Sequence, residues 1–287
     1  MNIRLKKSLL ILGACATLNL FSQGMLPAQN KVQNKVKQQA KEVLEVKPGS
    51  ITDGAIVEIS PEDELHPGYT SLFNGEDLTG WKVPEGDNGH WKVENGVIDY
   101  DAQSEAKGEK HLWSEKEYGD FILSMEWRIK ETTGLYKVPI VLADGSELKD
   151  ANGKVITVEL PNADSGIYLR GTSKAQVNIW CWPIGSGEVY SYRRNQSVAP
   201  EVRAGVTPKV NADNPVGEWN KFIIIMVKDR LTVILNNKMV LENAQLPDVP
   251  EKGPIALQHH GGKTKDGTFS PASSLMQFRN IYIKELD

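Results

Sequence analysis

The chain has 287 residues, 40% of them hydrophobic and 24% charged, enough for a real core and too much for disorder along its whole length. Its formal net charge is −4, from 33 Lys+Arg against 37 Asp+Glu, with no basic block able to neutralise a run of phosphates, which disfavours nucleic acid as a partner. The length fits one large β or α/β domain, or two small ones.

Residues 1–24 read as an export signal. Arg4, Lys6 and Lys7 form a positive start, Ser8 to Phe21 is mostly apolar, and Ser22 and Gly24 supply the small residues a signal peptidase recognises. The apolar stretch falls short of the roughly 20 residues a spanning helix needs. A cut near Gly24 predicts a periplasmic or secreted protein. A second reading is a lipoprotein box, Leu12-Gly13-Ala14-Cys15, which would tether the chain to a membrane through Cys15; the apolar residues that continue past it argue against that. With Cys15 in the leader, Cys181 is left as a lone thiol without a partner for an internal disulfide. Residues 25–50 form a polar linker, opening on Gln29-Asn30-Lys31-Val32 repeated at once as Gln33-Asn34-Lys35-Val36.

Residues 51–287 have the texture of one β domain. Trp91 to Glu94 leads through Asn95-Gly96 into Val97-Ile98, a strong hairpin signal. Phe121, Leu123, Met125, Trp127 and Ile129 alternate with Ser124, Glu126, Arg128 and Lys130. Further alternating runs cover 167–170, 175–180, 222–227, 231–235, 255–259 and 276–283, with turn residues at Asp229-Arg230 and Asn236-Asn237. Lys137 to Leu160, with Asp144-Gly145 and Asn152-Gly153 between Val/Ile-rich arms, reads as an inserted hairpin. Trp180 to Gly187 is an aromatic, glycine-containing loop suited either to packing or to stacking on a sugar. Many strands and no long amphipathic helix predict an all-β antiparallel sandwich or barrel.

Strand parity then divides the side chains. With Leu123, Met125 and Trp127 in the core, Glu126 and Arg128 face away. With Ile167 and Leu169 inside, Tyr168 and Arg170 are outside. Val177 and Ile179 leave Gln176, Asn178 and Trp180 on the outer face, and Ile255 and Leu257 leave Gln258 and His260 there. If these strands are neighbours, one sheet presents a surface of Glu, Arg, Tyr, Gln, Asn and His. An antiparallel sandwich always has a solvated outer face. Arg, Tyr, Trp, Gln and His, however, suit oriented hydrogen bonding better than plain solvation does, and a carbohydrate needs both donors for its hydroxyls and aromatics for its C–H faces.

Other chemistry finds less support. His259 and His260 cannot both face one site on a regular strand, and no His-x-x-x-His, Cys-x-x-Cys or EF-hand spacing occurs, so no metal ligands are assigned. A divalent ion held by loop carboxylates stays open, and no other cofactor is expected. No Gly-x-Ser-x-Gly elbow or Walker loop is present.

Gly68 to Trp81, reading GYTSLFNGEDLTGW, resembles the opening of the 3-keto-disaccharide hydrolase domain family. Trp91 to Ile98, Tyr118 to Phe121, Asp164 to Gly171, Gly217 to Asn220, Gly253 to His260 and Phe278 to Ile281 follow in that family's order. The resemblance implies a concanavalin A-like jelly roll and cleavage of glycosides whose sugar is oxidised at carbon three. It also implies a base that removes the carbon-two proton, a cation or donor for the enolate, and an acid for the leaving group. The resemblance points to His260 for the first role, Arg170 or Arg128 for the second, and Tyr168 or Glu126 for the third. Arg128, Gln176, Asn178, Trp180, Trp182 and Gln258 would hold the sugar. Gln176-Val177-Asn178 stands where many members carry Glu-x-Gln, so a glutamate role is not carried over to this position. The rival class is a non-catalytic, lectin-like module using Trp180, Trp182 and Arg170. Sequence assigns no oligomeric state.

Overall fold

The computed structural model describes residues 68–286. The expected leader, the linker, Cys15 and the start of the domain expected over 51–287 lie outside the described residues.

Nearly every element is a strand, and every strand pairing is antiparallel. The short strands are β1 (Thr70–Ser71), β2 (Trp81–Lys82), β3 (Trp91–Glu94) and β4 (Val97–Asp101). They are followed by β5 (Leu112–Tyr118), β6 (Phe121–Ile129), β7 (Leu135–Pro139), β8 (Thr157–Pro161), β9 (Asp164–Leu169) and β10 (Thr172–Trp180). Two short helices, α1 (Tyr190–Arg194) and α2 (Pro200–Gly205), precede β11 (Asn220–Val227), β12 (Arg230–Leu235), β13 (Lys238–Gln245), β14 (Gly253–Leu257) and β15 (Leu275–Glu285).

The strands form two main sheets and a ribbon. Sheet A has the order β13-β12-β11-β6-β15-β4-β3, with β1 also on β15; sheet B has the order β10-β9-β14-β5-β2; β7 and β8 pair only with each other. This is the antiparallel, concanavalin A-like jelly-roll sandwich that the alternation and the resemblance predict.

Local sequence explains the hairpins. Asn95 and Gly96 both adopt positive φ, as do Asn236 and Asn237, so the β3–β4 and β12–β13 links are tight turns whose backbone twist matches that of the strands. The β11–β12 turn falls one residue earlier than expected, at Lys228-Asp229, and Arg230 is already in β12. The 137–160 insertion is a ribbon, as its turn residues predict, with β7 and β8 in register from Leu135↔Pro161 to Pro139↔Thr157.

Between the sheets, Leu123, Met125, Trp127, Phe222, Ile224 and Phe278 of sheet A meet Leu112, Ile167, Leu169, Val177, Ile179 and Leu257 of sheet B, all buried. Each such aliphatic or aromatic side chain contributes about 1.5–3 kcal/mol when removed from water. These inward residues force their alternate neighbours onto two opposite outer faces, and this decides which polar residues can cooperate.

Candidate active site

The outer face of sheet B brings together part of the expected group. Ala256 pairs with Trp113 on one side and Tyr168 on the other, and Tyr168 pairs with Gln176. Because Ala256 is small, the rings of Trp113 and Tyr168 approach over it, with centroids 5.8 Å apart. The His111 ring meets Tyr168 edge-on at 4.8 Å.

A chain of amides orients the phenol. Gln176 Nε2 donates to the Ser165 carbonyl at 3.1 Å and to Gln258 Oε1. Its path crosses Gly166, where a Cβ would collide with the Gln176 amide, so the glycine of Asp164-Ser165-Gly166 is there for space. With its oxygen occupied by Gln176, Gln258 uses its amide group on Tyr168. The phenol oxygen thereby accepts one hydrogen bond and keeps its own proton to donate. Burial pushes the Tyr168 pKa up to about 12, so that proton is retained at neutral pH.

Asp164 and His260 form the second half of the site. The Ala272 carbonyl accepts from the backbone N–H of Asp164 at 3.1 Å and from His260 Nδ1 at 2.9 Å. A carbonyl only accepts, so Nδ1 carries a proton and the neutral ring has its lone pair on Nε2. Ser274 ties the two residues together: its Oγ accepts from the His260 N–H at 2.7 Å and donates to the Asp164 carbonyl at 2.6 Å. Burial raises the Asp164 carboxyl to about 6, opposed by the charge of the neighbouring His260.

The two adjacent histidines separate, as parity requires. His259 turns to Tyr100, with Nδ1 2.6 Å from the phenol oxygen, and burial lowers its pKa to about 4. Its backbone N–H donates to His111 Nδ1 at 3.0 Å, which fixes the His111 proton on Nε2. Burial lowers the His111 pKa as well, so the ring is a neutral donor. Among the described residues, no group of three or more His, Cys, Asp or Glu side chains is placed to hold a metal ion.

Five other expected site residues lie elsewhere. Glu126 and Arg128 belong to sheet A, on the opposite outside of the sandwich, because β6 and β9 are in different sheets. There Glu126 accepts from Arg279 Nε at 2.7 Å, while Arg128 holds Gln277 and packs on Trp219. Arg170 follows the end of β9 with φ +50°, beside Gly171 at φ +71°, so the turn breaks the alternation and swings its side chain inward. At 1% exposure it donates to the Gly119, Lys228 and Pro250 carbonyls and to Asp120.

Trp180 and Trp182 stack on each other at 4.1 Å, 3% and 7% exposed, under Val138 of the ribbon and edge-on to Tyr190. No ring face is open to a sugar. Asn178 does lie on the outer side of β10, but the Gly187–Glu188 backbone pairs with it and leaves it 2% exposed.

Sequence reading missed His111 and Trp113. The signal was present: Leu112 is a core residue, and parity places its two neighbours on the Tyr168 face. Asp164 stood in the sequence only as part of a motif.

A family model for the 3-keto-alpha-glucoside-1,2-lyase-like domain matches residues 68–284. A 3-keto-disaccharide hydrolase of Bacteroides thetaiotaomicron is 25% identical over 245 residues, covering 77% of this chain and 79% of that protein. The solved structure of a proposed glycosyl hydrolase from Parabacteroides distasonis is similar at 23% identity with a TM-score of 0.48, covering 77% of this chain and 84% of the other. A second such structure from that organism shares 20% identity with a TM-score of 0.47, covering 77% and 95%.

Proposed function

The chain belongs to the 3-keto-alpha-glucoside-1,2-lyase-like domain family and is a glycoside hydrolase-like protein, and from that premise we propose that it cleaves glycosides carrying a ketone at sugar carbon three. The ketone acidifies the hydrogen on carbon two. His260 Nε2 takes that proton, and the electron pair left behind forms the enolate. His111 Nε2–H is the donor that faces the enolate oxygen, replacing the arginine that the resemblance implied. The enolate then expels the aglycone oxygen from carbon one as Tyr168 gives it a proton. Water adds to the resulting enone, hydroxyl to carbon one and hydrogen to carbon two, and the net result is hydrolysis.

The observation that carries this reading is the His260 ring with Nδ1 spent on the Ala272 carbonyl, its Nε2 left over, and the half-buried Asp164 carboxyl beside it. Asp164 stabilises the imidazolium that forms when the proton is taken. Tyr168 is suited to donate because its proton stays on through neutral pH.

The test is incubation of the purified chain with a 3-keto-disaccharide in deuterated water, followed by proton NMR. The expected result is loss of the keto-glycoside with deuterium entering at carbon two. Binding of the sugar without turnover, across pH and with added divalent ions, would make the protein a carbohydrate-binding module instead. We place the protein in the periplasm or outside the cell, from its leader. N-terminal sequencing of the exported chain should begin at Met25, whereas a lipid on Cys15 would mean a membrane-anchored form.

A further inference from the structure

The two segments outside both sheets, the β7–β8 ribbon and the α1–α2 stretch, enclose a cavity of about 460 Å³ that shares no lining residue with the sheet B site. Its size is within the roughly 300–1,000 Å³ of small-molecule sites. The walls are held together closely. Gly145 at the ribbon tip has φ +81°, and a Cβ there would sit 2.8 Å from the Arg203 carbonyl oxygen and 2.9 Å from Thr207 Oγ1. Lys209 Nζ donates to the carbonyls of Ala143 in the ribbon and Ala204 in α2. A cavity clamped in this way is preorganised, and a ligand does not have to order it.

Its lining carries one more cation than carboxylates. Arg193, Arg194, Arg203 and Lys149 line it against Asp144, Glu147 and Glu201. Asp144 is committed to its own turn, accepting from Ser146 N–H at 2.9 Å and Ser146 Oγ–H at 2.6 Å. Glu147 is shared by Arg193 and Arg194. Arg203 gives Nη1 to Gln196 and has further N–H groups to offer. Behind them, Arg193 is a guanidinium with a 1% exposed side chain that uses Nε on Glu188 and Nη1 on Glu147 and has no partner at Nη2. Burial pushes the Glu188 carboxyl up, and the Arg193 guanidinium against it opposes that rise.

We propose that this cavity binds the carboxylate of an acidic sugar, a uronosyl unit of the glycan whose cleavage is assigned above to the sheet B site. The arginine forks match a planar carboxylate in two-point contact, and the volume accommodates the ring that carries it. A bare inorganic anion would leave most of the space empty. The inference takes its sugar from the glycoside reading and its charge from the cavity.

Calorimetric titration of the full chain with D-glucuronate, D-glucose and inorganic phosphate tests it. Glucuronate should bind at least roughly tenfold more tightly than either of the others, and Arg203→Ala and Arg194→Ala should each weaken it by roughly tenfold, the scale of one charge-assisted hydrogen bond. Arg194→Lys, keeping the charge without the fork, should fall between. Glucuronate no tighter than glucose, phosphate as tight as glucuronate, or binding unchanged in both alanine variants would each overturn the proposal. Turnover of a 3-keto-disaccharide is read separately. Turnover without glucuronate selectivity removes this site and keeps the activity; selectivity without turnover does the reverse.

Discussion

The two outer faces of the sandwich carry the same kinds of residue and differ in how those residues are used. On sheet A, Glu126 is paired with Arg279, Arg128 with Gln277, and Asp99 with both Lys130 and Gln277, while both arginines rest on Trp219. Each of these side chains has met its partner on the same face. On sheet B, the His260 Nε2 lone pair and the Tyr168 proton are left available by the bonds that orient them, and the His111 Nε2–H has only the Glu109 carboxylate at 3.6 Å. The face proposed to be active is therefore set apart by hydrogen-bonding capacity left over, and residue type alone does not distinguish it from a self-satisfied one.

The sharpest way to break this comparison is to remove the leftover capacity. His260→Ala and Asp164→Asn should each lower kcat on a 3-keto-disaccharide by about 10²- to 10⁴-fold, the range of a general base or of its charge partner. Melting curves of the variants should show that they fold. A loss smaller than tenfold in both would move the base away from this pair.

Arg170 sharpens the contrast between polar groups that act and polar groups that hold. It spans from the β9–β10 turn to Gly119 and Asp120 before β6, Lys228 after β11, and Pro250 before β14, and so ties the two sheets at one end. Arg170→Met should cost roughly 3–5 kcal/mol in urea unfolding, because it leaves the Gly119, Lys228 and Pro250 carbonyls without their donor beside a buried apolar chain, while Asp120 keeps the Lys228 N–H. Catalysis per folded molecule should be unchanged. A stable Arg170→Met protein that had lost turnover would return this arginine to the active site.

How far the sequence reaches follows from these particulars. Alternation found β6, β9, β10, β11, β12, β14 and β15, since a period of two is local and needs no knowledge of neighbours. It also put Tyr168, Gln258 and His260 on the correct side of their strands. Which sheet a strand joins is a long-range matter: β6 reads like β9 in isolation, and only the order β11-β6-β15 separates Glu126 and Arg128 from Tyr168. The arginine was misplaced for a local reason, since parity stops at a left-handed turn and Arg170-Gly171 is one. The tryptophans failed for a third reason. Trp180 obeys parity and lies on the outer side of β10, yet the ribbon and Tyr190, which the sequence announces as an insertion without saying where it lands, cover the pair.

Asp164 gives a pH test of intermediate size. Its folded-state pKa is raised from 3.8 to about 6, so between those values the folded protein holds a proton that the unfolded chain releases. Stability from this group is therefore fully present below about pH 4 and is lost as pH rises through about 6, by on the order of 3 kcal/mol. Asp164→Asn should flatten that part of the stability curve measured by urea midpoints. A curve of the same slope in wild type and variant would show that the carboxyl is not held in the environment described.

The smallest effect belongs to the sheet A face, which the proposed chemistry leaves unused. Glu126 and Arg279 are both partly open to solvent, and an ion pair in that setting is worth about 0–1 kcal/mol. Glu126→Gln keeps the shape and one acceptor for Arg279 Nε while removing the charge, so the urea midpoint should shift by less than that amount and turnover should stay at the wild-type rate. Because glutamine can still accept, what is tested is whether the carboxylate has any task beyond its neighbour. A fall in kcat of tenfold or more in Glu126→Gln, with stability intact, would mean that the sheet A face takes part in the chemistry, and the division of labour between the two faces would have to be abandoned.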